Sequence, residues 1–155
     1  MRPWDGIEEY DFPVVTVCGS TRFKDQIMDV RARLSLAGFV VLGSEVWVHS
    51  DPQYQALHDS FAKTGLDVLH LAKIDLSEYI VVANFEGYVG ESTRKEILHA
   101  RERRIPVVWV EGIPGFGDRR IRLNDSPDPD AIDITLDYFF QKKIEIDVQR
   151  AHTRG

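Results

Sequence analysis

The chain contains a single cysteine, Cys18, so no disulfide can form within it, and a reducing compartment suits it. No apolar run approaches the ~20 residues that a membrane-spanning helix needs. The N-terminal residues show no apolar segment followed by a small-residue cleavage site, so no signal peptide is visible. We therefore expect a cytoplasmic protein that does not insert into a membrane.

The chain also has fewer basic than acidic residues, and its formal net charge is −6. Binding along a nucleic-acid backbone needs a basic face, so we expect no nucleic-acid polymer as a partner. A small phosphorylated ligand needs only a local cation and is still allowed. The five histidines and Cys18 show no paired spacing such as H-E-x-x-H or C-x-x-C. We therefore predict no metal and no cofactor.

Apolar, β-branched runs alternate with segments of helical periodicity along the chain. Strands are predicted at Val14–Cys18, Phe39–Leu42, Ile80–Ala83 and Ile105–Val110, and helices at 23–37, 52–63, 66–74, 91–103 and 131–148. Gly65 is expected to break the chain between the second and third helices. This alternation is typical of α/β proteins with crossover connections and a parallel sheet covered on both faces.

The pattern predicts a three-layer flavodoxin-like or Rossmann-like domain with a four- to five-stranded parallel sheet. The first strand is expected to lie centrally, beside the second and third. Residues 1–155 are interpreted as one domain with a core at about 13–148. Residues 111–130 contain three Gly and three Pro and are predicted to be a lid or a long surface connection.

The turn after the first strand contains the sequence Cys18-Gly19-Ser20-Thr21-Arg22. Glycine permits a tight turn, Ser20 and Thr21 offer hydroxyls at a helix start, and Arg22 supplies a charge-assisted donor pair. These features favour binding of a phosphate or a carboxylate. A capped helix start with a solvated arginine is the structural alternative. Neither a P-loop nor a G-x-G-x-x-G turn is present.

The turn after the third strand runs through Gly87 and Gly90 into Ser92, Thr93 and Glu96. Glu96 is expected on the same helix face as Ser92, pointing back toward the turn. A carboxylate there could act as a nucleophile or a base. Alternatively, Thr93-x-x-Glu96 is a capping box, in which Glu96 satisfies a backbone donor.

Three further positions are of chemical interest. Asp75 ends the stretch from His70 to Asp75, which is expected to be helical and could lie across the top of the sheet. There Asp75 could orient Glu96 or hold a ligand hydroxyl; a surface turn is the alternative. His49 follows the second strand, on the side expected for Gly19 and Gly90, although a lone loop histidine is usually solvated. Cys18 is predicted to be a small buried hydrophobe and not a nucleophile.

Taken together, the two turns resemble those of the nucleoside 2-deoxyribosyltransferase-like superfamily, which includes nucleoside deoxyribosyltransferases and nucleoside 5′-monophosphate N-glycosidases. Cys18-Gly19-Ser20-Thr21-Arg22 is similar to the C-G-S-x-R turn that helps hold the 5′-phosphate in the N-glycosidases. The stretch from Ser92 to Glu96 is similar to the family's G-T-x-x-E, whose Glu attacks the anomeric carbon. The resemblance spans about residues 14–110, and Ser92 stands in place of the usual Gly.

The resemblance implies an enzyme that cleaves the N-glycosidic bond of a nucleoside 5′-monophosphate or nucleoside. Glu96 would stabilise or capture the positive charge that builds at the sugar carbon. The substrate-binding residues would be Gly19, Ser20, Thr21, Arg22, His49, Gly90, Ser92 and Thr93, with Asp75 assisting Glu96. We expect the helix N-terminus to keep Glu96 ionised at neutral pH. The family also implies a homodimer or a higher homo-oligomer.

Hydrolysis and transfer of the sugar to a second base both remain open, although Arg22 favours a nucleotide hydrolase. Two other classes of function also remain. One is a non-catalytic nucleotide-binding sensor that retains the pocket. The other is an interaction domain without a ligand, in which Arg22 and Glu96 affect only stability.

Overall fold

The computed structural model describes residues 12–113 and 133–154, with side chains as far as Glu145. Nearly all of the predicted 111–130 connection lies outside these residues, so the two interpretations of it are not tested. Five strands alternate with four α-helices in the described part of the chain. They are β1 (Val14–Cys18), α1 (Lys24–Leu36), β2 (Val40–Leu42), α2 (Phe61–Asp75), β3 (Tyr79–Val82), α3 (Glu91–Glu102), β4 (Val107–Trp109), β5 (Asp133–Thr135) and α4 (Leu136–Arg154).

The five strands form one parallel sheet in the order β2-β1-β3-β4-β5. This confirms the predicted α/β fold of the flavodoxin-like type, with β1 between β2 and β3. Parallel strands need a crossover between them, and right-handed crossovers place the helices on both faces. None of the described helices is both long enough and apolar enough to cross a membrane.

Two buried apolar layers hold the helices to the sheet. On one face, Ile27, Val30 and Leu34 of α1 and Phe139 of α4 pack against the strands. On the other face, Ile74 of α2 and Ile97 and Ala100 of α3 pack against Cys18, Ile80 and Val82. The spacing of these residues along α1 and α3 is the helical spacing that the sequence predicted.

Three helix predictions were wrong in detail. Residues 52–63 do not form one helix, because a 3₁₀ helix spans Pro52–Leu57 and α2 begins only at Phe61. Gly65 does not break the chain, because α2 runs from Phe61 to Asp75 through it. A mid-helix glycine costs only about 1 kcal/mol, which the burial of one large apolar side chain exceeds. The last helix begins at Leu136 and not at residue 131, because β5 precedes it, and it extends to Arg154.

A buried hydroxyl pair fixes the end of α2 to the central strand. The Thr16 and Ser77 oxygens are 2.6 Å apart, and Ser77 donates its own hydrogen to the Lys73 carbonyl at 2.9 Å. Since a serine hydroxyl has one hydrogen, Thr16 must be the donor of the pair.

This pair predicts unequal effects for two small substitutions. Thr16→Val removes only the donor and should reduce the free energy of unfolding by about 1 kcal/mol. Ser77→Ala leaves the buried Thr16 hydroxyl unpaired and removes a partner of the Lys73 carbonyl, so about 2–3 kcal/mol should be lost. Urea titration of both variants checks this order, and an equal or reversed order would show that the pair does not stabilise the protein as described.

Candidate functional site

A cavity of about 370 Å³ lies at the carboxyl ends of the strands, where open α/β sheets usually bind ligands. Its volume lies within the range of small-molecule sites. The two turns predicted from the sequence meet in this cavity. The predicted residues that line it are Gly19, Ser20, Thr21, Arg22, His49, Gly90, Ser92, Thr93 and Glu96.

The turn after β1 closely approaches the neighbouring strand. A Cβ atom built at Gly19 would lie 3.0 Å from the Ala83 Cβ, so any other residue there would require the two segments to move apart slightly. Ser20 accepts a hydrogen bond from the backbone N–H of Arg22 at 3.3 Å and caps a short 3₁₀ helix, as the structural alternative expected. The exposed Arg22 guanidinium lies 5.3 Å from the centre of the Tyr88 ring. Among the described residues, no carboxylate pairs with it, so its charge is available to an anion.

The second turn leads into α3, whose N-cap is Gly90. No side chain caps this end, so the first N–H groups of α3 remain available to a ligand. Thr93 is the third residue of the helix and Glu96 the sixth, so the two do not form a capping box, which pairs the N-cap with the third residue. The capping alternative for Glu96 was therefore wrong.

Glu96 is a buried carboxyl at the wall of the cavity. Its side chain is 14% exposed, and its Oε2 atom has no hydrogen-bond partner among the described residues. Burial raises the pKa of Glu96 to about 8, and a hydrogen bond from the Cys18 thiol only partly offsets this. The expectation that the helix N-terminus keeps Glu96 ionised was wrong, because the influence of the helix dipole fades within the first turn and Glu96 lies beyond it.

Glu96 belongs to a cluster with Cys18 of β1 and His70 of α2. One ligand atom from each of the three side chains lies within 4.8 Å of the other two. Burial lowers the pKa of His70 to about 4 and raises the pKa of the Cys18 thiol. A thiolate, an imidazole and a carboxylate would suit Zn²⁺, but the raised pKa of the thiol opposes the deprotonation that such a site requires. Cys18 is buried, as the sequence predicted.

His49 is held in place by hydrogen bonds although its side chain is exposed. Its Nδ1 atom hydrogen-bonds to the Thr21 hydroxyl, and Ser50 donates to the Thr21 carbonyl at 2.7 Å. The His49 ring centre lies 4.7 Å from that of His58. Burial lowers the pKa of His49, and the nearby His58 lowers it further. Hydrogen bonds from His49 and Ser50 therefore connect the loop after β2 to the turn after β1.

Asp75 is not part of this site. It lies at the carboxyl end of α2, where it binds the His99 Nε2 atom at 2.8 Å and the Arg103 Nε atom at 2.7 Å. Because α2 returns the chain to the start of β3, this end of the helix lies at the opposite edge of the sheet from the cavity. The proposal that Asp75 orients Glu96 or holds a ligand was therefore wrong.

The pocket face of α2 was the main omission of the sequence analysis. His70 and Lys73 line the cavity together with Lys63 and Asp67. The Lys73 ammonium binds a Glu45 carboxylate oxygen at 2.6 Å. One signal was available, because His70 lies four residues before the buried Ile74 and so shares the helix face that packs on the sheet. A histidine on such a face is unusual enough to single out.

Comparison with protein-family models, with curated proteins and with solved structures found no match to this chain. The cavity and the residues that line it are therefore the features of this chain that bear on its function. These include the Ser20 hydroxyl and the Arg22 guanidinium at one end, and a buried carboxyl at Glu96.

Proposed function

We propose that the protein is an N-glycosidase that cleaves the N-glycosidic bond of a nucleoside 5′-monophosphate, with Glu96 as the nucleophile. One observation carries the proposal. The same cavity is lined by the buried Glu96 carboxyl, by the start of α3, which no side chain caps, and by Arg22, which has no carboxylate partner among the described residues. This arrangement suits a ligand with an anionic group at one end and an electrophilic carbon near the other.

The chemistry requires a carboxylate that can approach the sugar carbon. Breaking the bond to the base leaves an oxocarbenium-like sugar, which a carboxylate can stabilise or capture as an ester. Water that attacks the ester completes hydrolysis, whereas a second base would complete transfer. Arg22 and the free N–H groups of α3 favour a phosphorylated substrate, so hydrolysis of a nucleotide is the form we propose. The single buried cysteine supports a cytoplasmic location for this activity.

The activity can be tested with nucleosides and their 5′-monophosphates, in ribo and deoxy forms, with and without a free acceptor base. Chromatography should show base released from at least one monophosphate without an acceptor. Release that requires the acceptor would identify a transferase. No released or exchanged base from any compound would contradict the enzymatic proposal.

The main alternative is a nucleotide-binding sensor without turnover. The raised pKa of Glu96 favours it, because a carboxyl that is protonated at neutral pH is a weak nucleophile. A ligand that raises the melting temperature without product formation would support the sensor.

The family resemblance implies a homodimer, and we also propose that two copies associate through α2. One stripe of this helix is apolar and exposed, and it includes Phe61 (93% exposed), Val68 (62%) and Leu76 (71%). Gly65 lies within the stripe, and a Cβ placed there would meet no atom within 4 Å, so another helix could approach closely. A two-fold axis would place the same stripe of a second copy against it.

Substitution of Val68 by glutamate should therefore convert a dimer into a monomer, because it places a charge in the centre of the stripe. Light scattering coupled to gel filtration measures the change in mass. Ile144→Glu is the matched control, since Ile144 is equally exposed (62%) but lies on α4, across the sheet. A wild-type monomer, or a dimer that only Ile144→Glu disrupts, would contradict the proposed interface.

A further inference from the structure

Four basic side chains lie around one end of the cavity and come from three segments of the chain. Arg22 follows β1, His49 and His58 lie between β2 and α2, and Lys63 lies in the first turn of α2. The charges of the other three all act on the His49 ring, so the four groups are close together. This basic cluster is opposite in sign to the chain as a whole, whose formal net charge is −6.

The two imidazole rings of the basic cluster contact each other edge to face. Their centres are 4.7 Å apart, with an angle of 71° between the ring planes. The His49 Nδ1 atom hydrogen-bonds to the Thr21 hydroxyl, and the His58 Nδ1 atom lies 3.0 Å from an Asp59 carboxylate oxygen. Neither Nε2 atom has a hydrogen-bond partner in the part of the chain that the structure describes. Each ring therefore keeps one nitrogen for a ligand in the cavity.

Acidic neighbours offset the charge of the basic cluster only in part. Asp59 pairs with His58 and Asp67 pairs with Lys63, but 88% and 52% of these two acidic side chains are exposed. Water screens such pairs, so their effect is small. Arg22 pairs with no carboxylate among the residues that the structure describes. The basic cluster therefore has positive charge left over for an anion.

The surroundings of His49 keep its ring neutral at neutral pH. Partial burial lowers the pKa of His49, and the other three members of the basic cluster lower it further. Asp59 acts on it in the opposite direction and more weakly. Asp51 and Glu45 of the same connection are each paired with a lysine at 2.6 Å. An anion among the four basic groups would reverse this balance, because a nearby negative charge raises the pKa of an imidazole.

We propose that the basic cluster binds the substrate's phosphate group as a dianion and that His49 takes up one proton from solvent when the phosphate binds. This proposal rests on the proposed function, specifies the charge of its substrate, and adds His58 and Lys63 to the binding residues. Arg22 and the protonated His49 then supply two full positive charges for the two negative ones. A phosphomonoester carries nearly two negative charges at neutral pH, whereas a phosphodiester carries one. The substrate class is therefore a nucleotide with a free terminal phosphate.

Sulfate and methyl sulfate test the proposal without turnover. Sulfate carries two negative charges and methyl sulfate one from about pH 6 to about pH 8, whereas a phosphomonoester titrates at about pH 6. Because protonation of His49 favours the complex, the affinity for sulfate should rise about tenfold as the pH falls from about 8 to about 6. The affinity for methyl sulfate should change by less than about threefold. Isothermal titration calorimetry measures both, and an affinity for sulfate that does not depend on pH would overturn the proposal.

His49→Gln keeps a hydrogen-bonding side chain beside Thr21 but cannot take up a proton. Its affinity for sulfate should be independent of pH and about tenfold below that of the wild type at about pH 6. His99→Gln is the matched control, because His99 pairs with Asp75 at the opposite edge of the sheet, and it should keep the wild-type dependence. A pH dependence that persists in His49→Gln would assign the proton to another group and overturn the proposal.

Lys63→Gln and His58→Gln test whether the α2 side of the basic cluster contacts the anion. Each should weaken sulfate binding by about three- to tenfold at about pH 6. Lys142→Gln is the control, since Lys142 lies on α4 and pairs with Glu145 at 3.3 Å. Unchanged sulfate binding in both cavity variants would overturn the proposed site.

NMR titration of the His49 ring gives the most direct readout. The pKa of His49 should lie below the ordinary value of 6.5 in the free protein and should be at least about one unit higher with saturating sulfate. If the pKa rises but no nucleotide releases its base, the proposed function fails and the anion site is supported. If bases are released but sulfate leaves the pKa unchanged, this proposal alone is overturned.

Discussion

Replacing Glu96 with glutamine should reduce base release by at least about 10³-fold, because the amide cannot form the ester with the sugar carbon. The substitution preserves the shape of the side chain and keeps the cavity intact. Binding of the substrate should therefore persist, and the loss should appear in kcat and not in KM. Glu102→Gln, on the exposed end of the same helix, should have wild-type activity.

The Glu96→Gln variant should also be more stable than the wild type at alkaline pH. The folded protein holds the Glu96 proton up to about pH 8, whereas the unfolded chain releases it near the ordinary pKa of 4.5. Wild-type stability therefore falls as pH rises between these two values, since ionisation of the buried carboxyl opposes folding. Glutamine has no proton to lose. The difference in unfolding free energy should reach about 2–4 kcal/mol by pH 8 and nearly vanish at pH 4.

Denaturant titrations of wild type, Glu96→Gln and Glu102→Gln from pH 4 to pH 8 check the predicted pH dependence of the unfolding free energy. A stability gain that does not depend on pH would contradict the burial argument for Glu96. Retained turnover in Glu96→Gln would contradict its role as the nucleophile.

Replacing Arg22 with alanine should raise KM for a nucleoside 5′-monophosphate by about 10- to 100-fold, which corresponds to the loss of one charge-assisted hydrogen bond. The KM for the matching nucleoside, which lacks the phosphate, should change little. Arg22 is exposed at the mouth of the cavity, and among the described residues it has no acidic partner, so its loss leaves no buried charge unpaired.

Arg33→Ala is the control for this prediction. Its guanidinium also lies 5.3 Å from the centre of an aromatic ring, that of Phe140, but on α1 and away from the cavity. Arg33→Ala should change neither the KM for the nucleotide nor the KM for the nucleoside. Equal losses for nucleotide and nucleoside in Arg22→Ala would mean that Arg22 supports the turn and does not contact the phosphate.

The strands of the sheet were largely predictable because buried parallel strands are continuous β-branched runs. Val14–Cys18 and Tyr79–Val82 are examples, and their positions fix where the two turns meet. Strand β5 was missed because Asp133–Thr135 is only three residues long and adjoins a helix. Ile134 and Leu136 also fit the helical pattern of α4, so local periodicity could not separate strand from helix.

The site was predictable where backbone geometry determines it and not where tertiary packing does. Gly19 and Gly90 mark turns at strand ends, and strand direction alone places both turns at one edge. Asp75 was misplaced because its helical segment was expected to lie across the top of the sheet, whereas α2 packs on the sheet face and ends near the start of β3. The protonation state of Glu96 depends on its enclosure by Cys18 and His70, which are distant in sequence, so no local pattern shows it.

The most direct test of the account is to look for the glycosyl ester on Glu96. A fluorine at the 2′ position of a nucleoside 5′-monophosphate that is turned over should slow both steps, and the intermediate can be sought by mass spectrometry of the intact protein. We predict a mass increase of one fluorinated pentose phosphate, located on the peptide that contains Glu96 and absent in Glu96→Gln. Base release without any adduct, or an adduct on another residue, would contradict the central claim that Glu96 is the nucleophile.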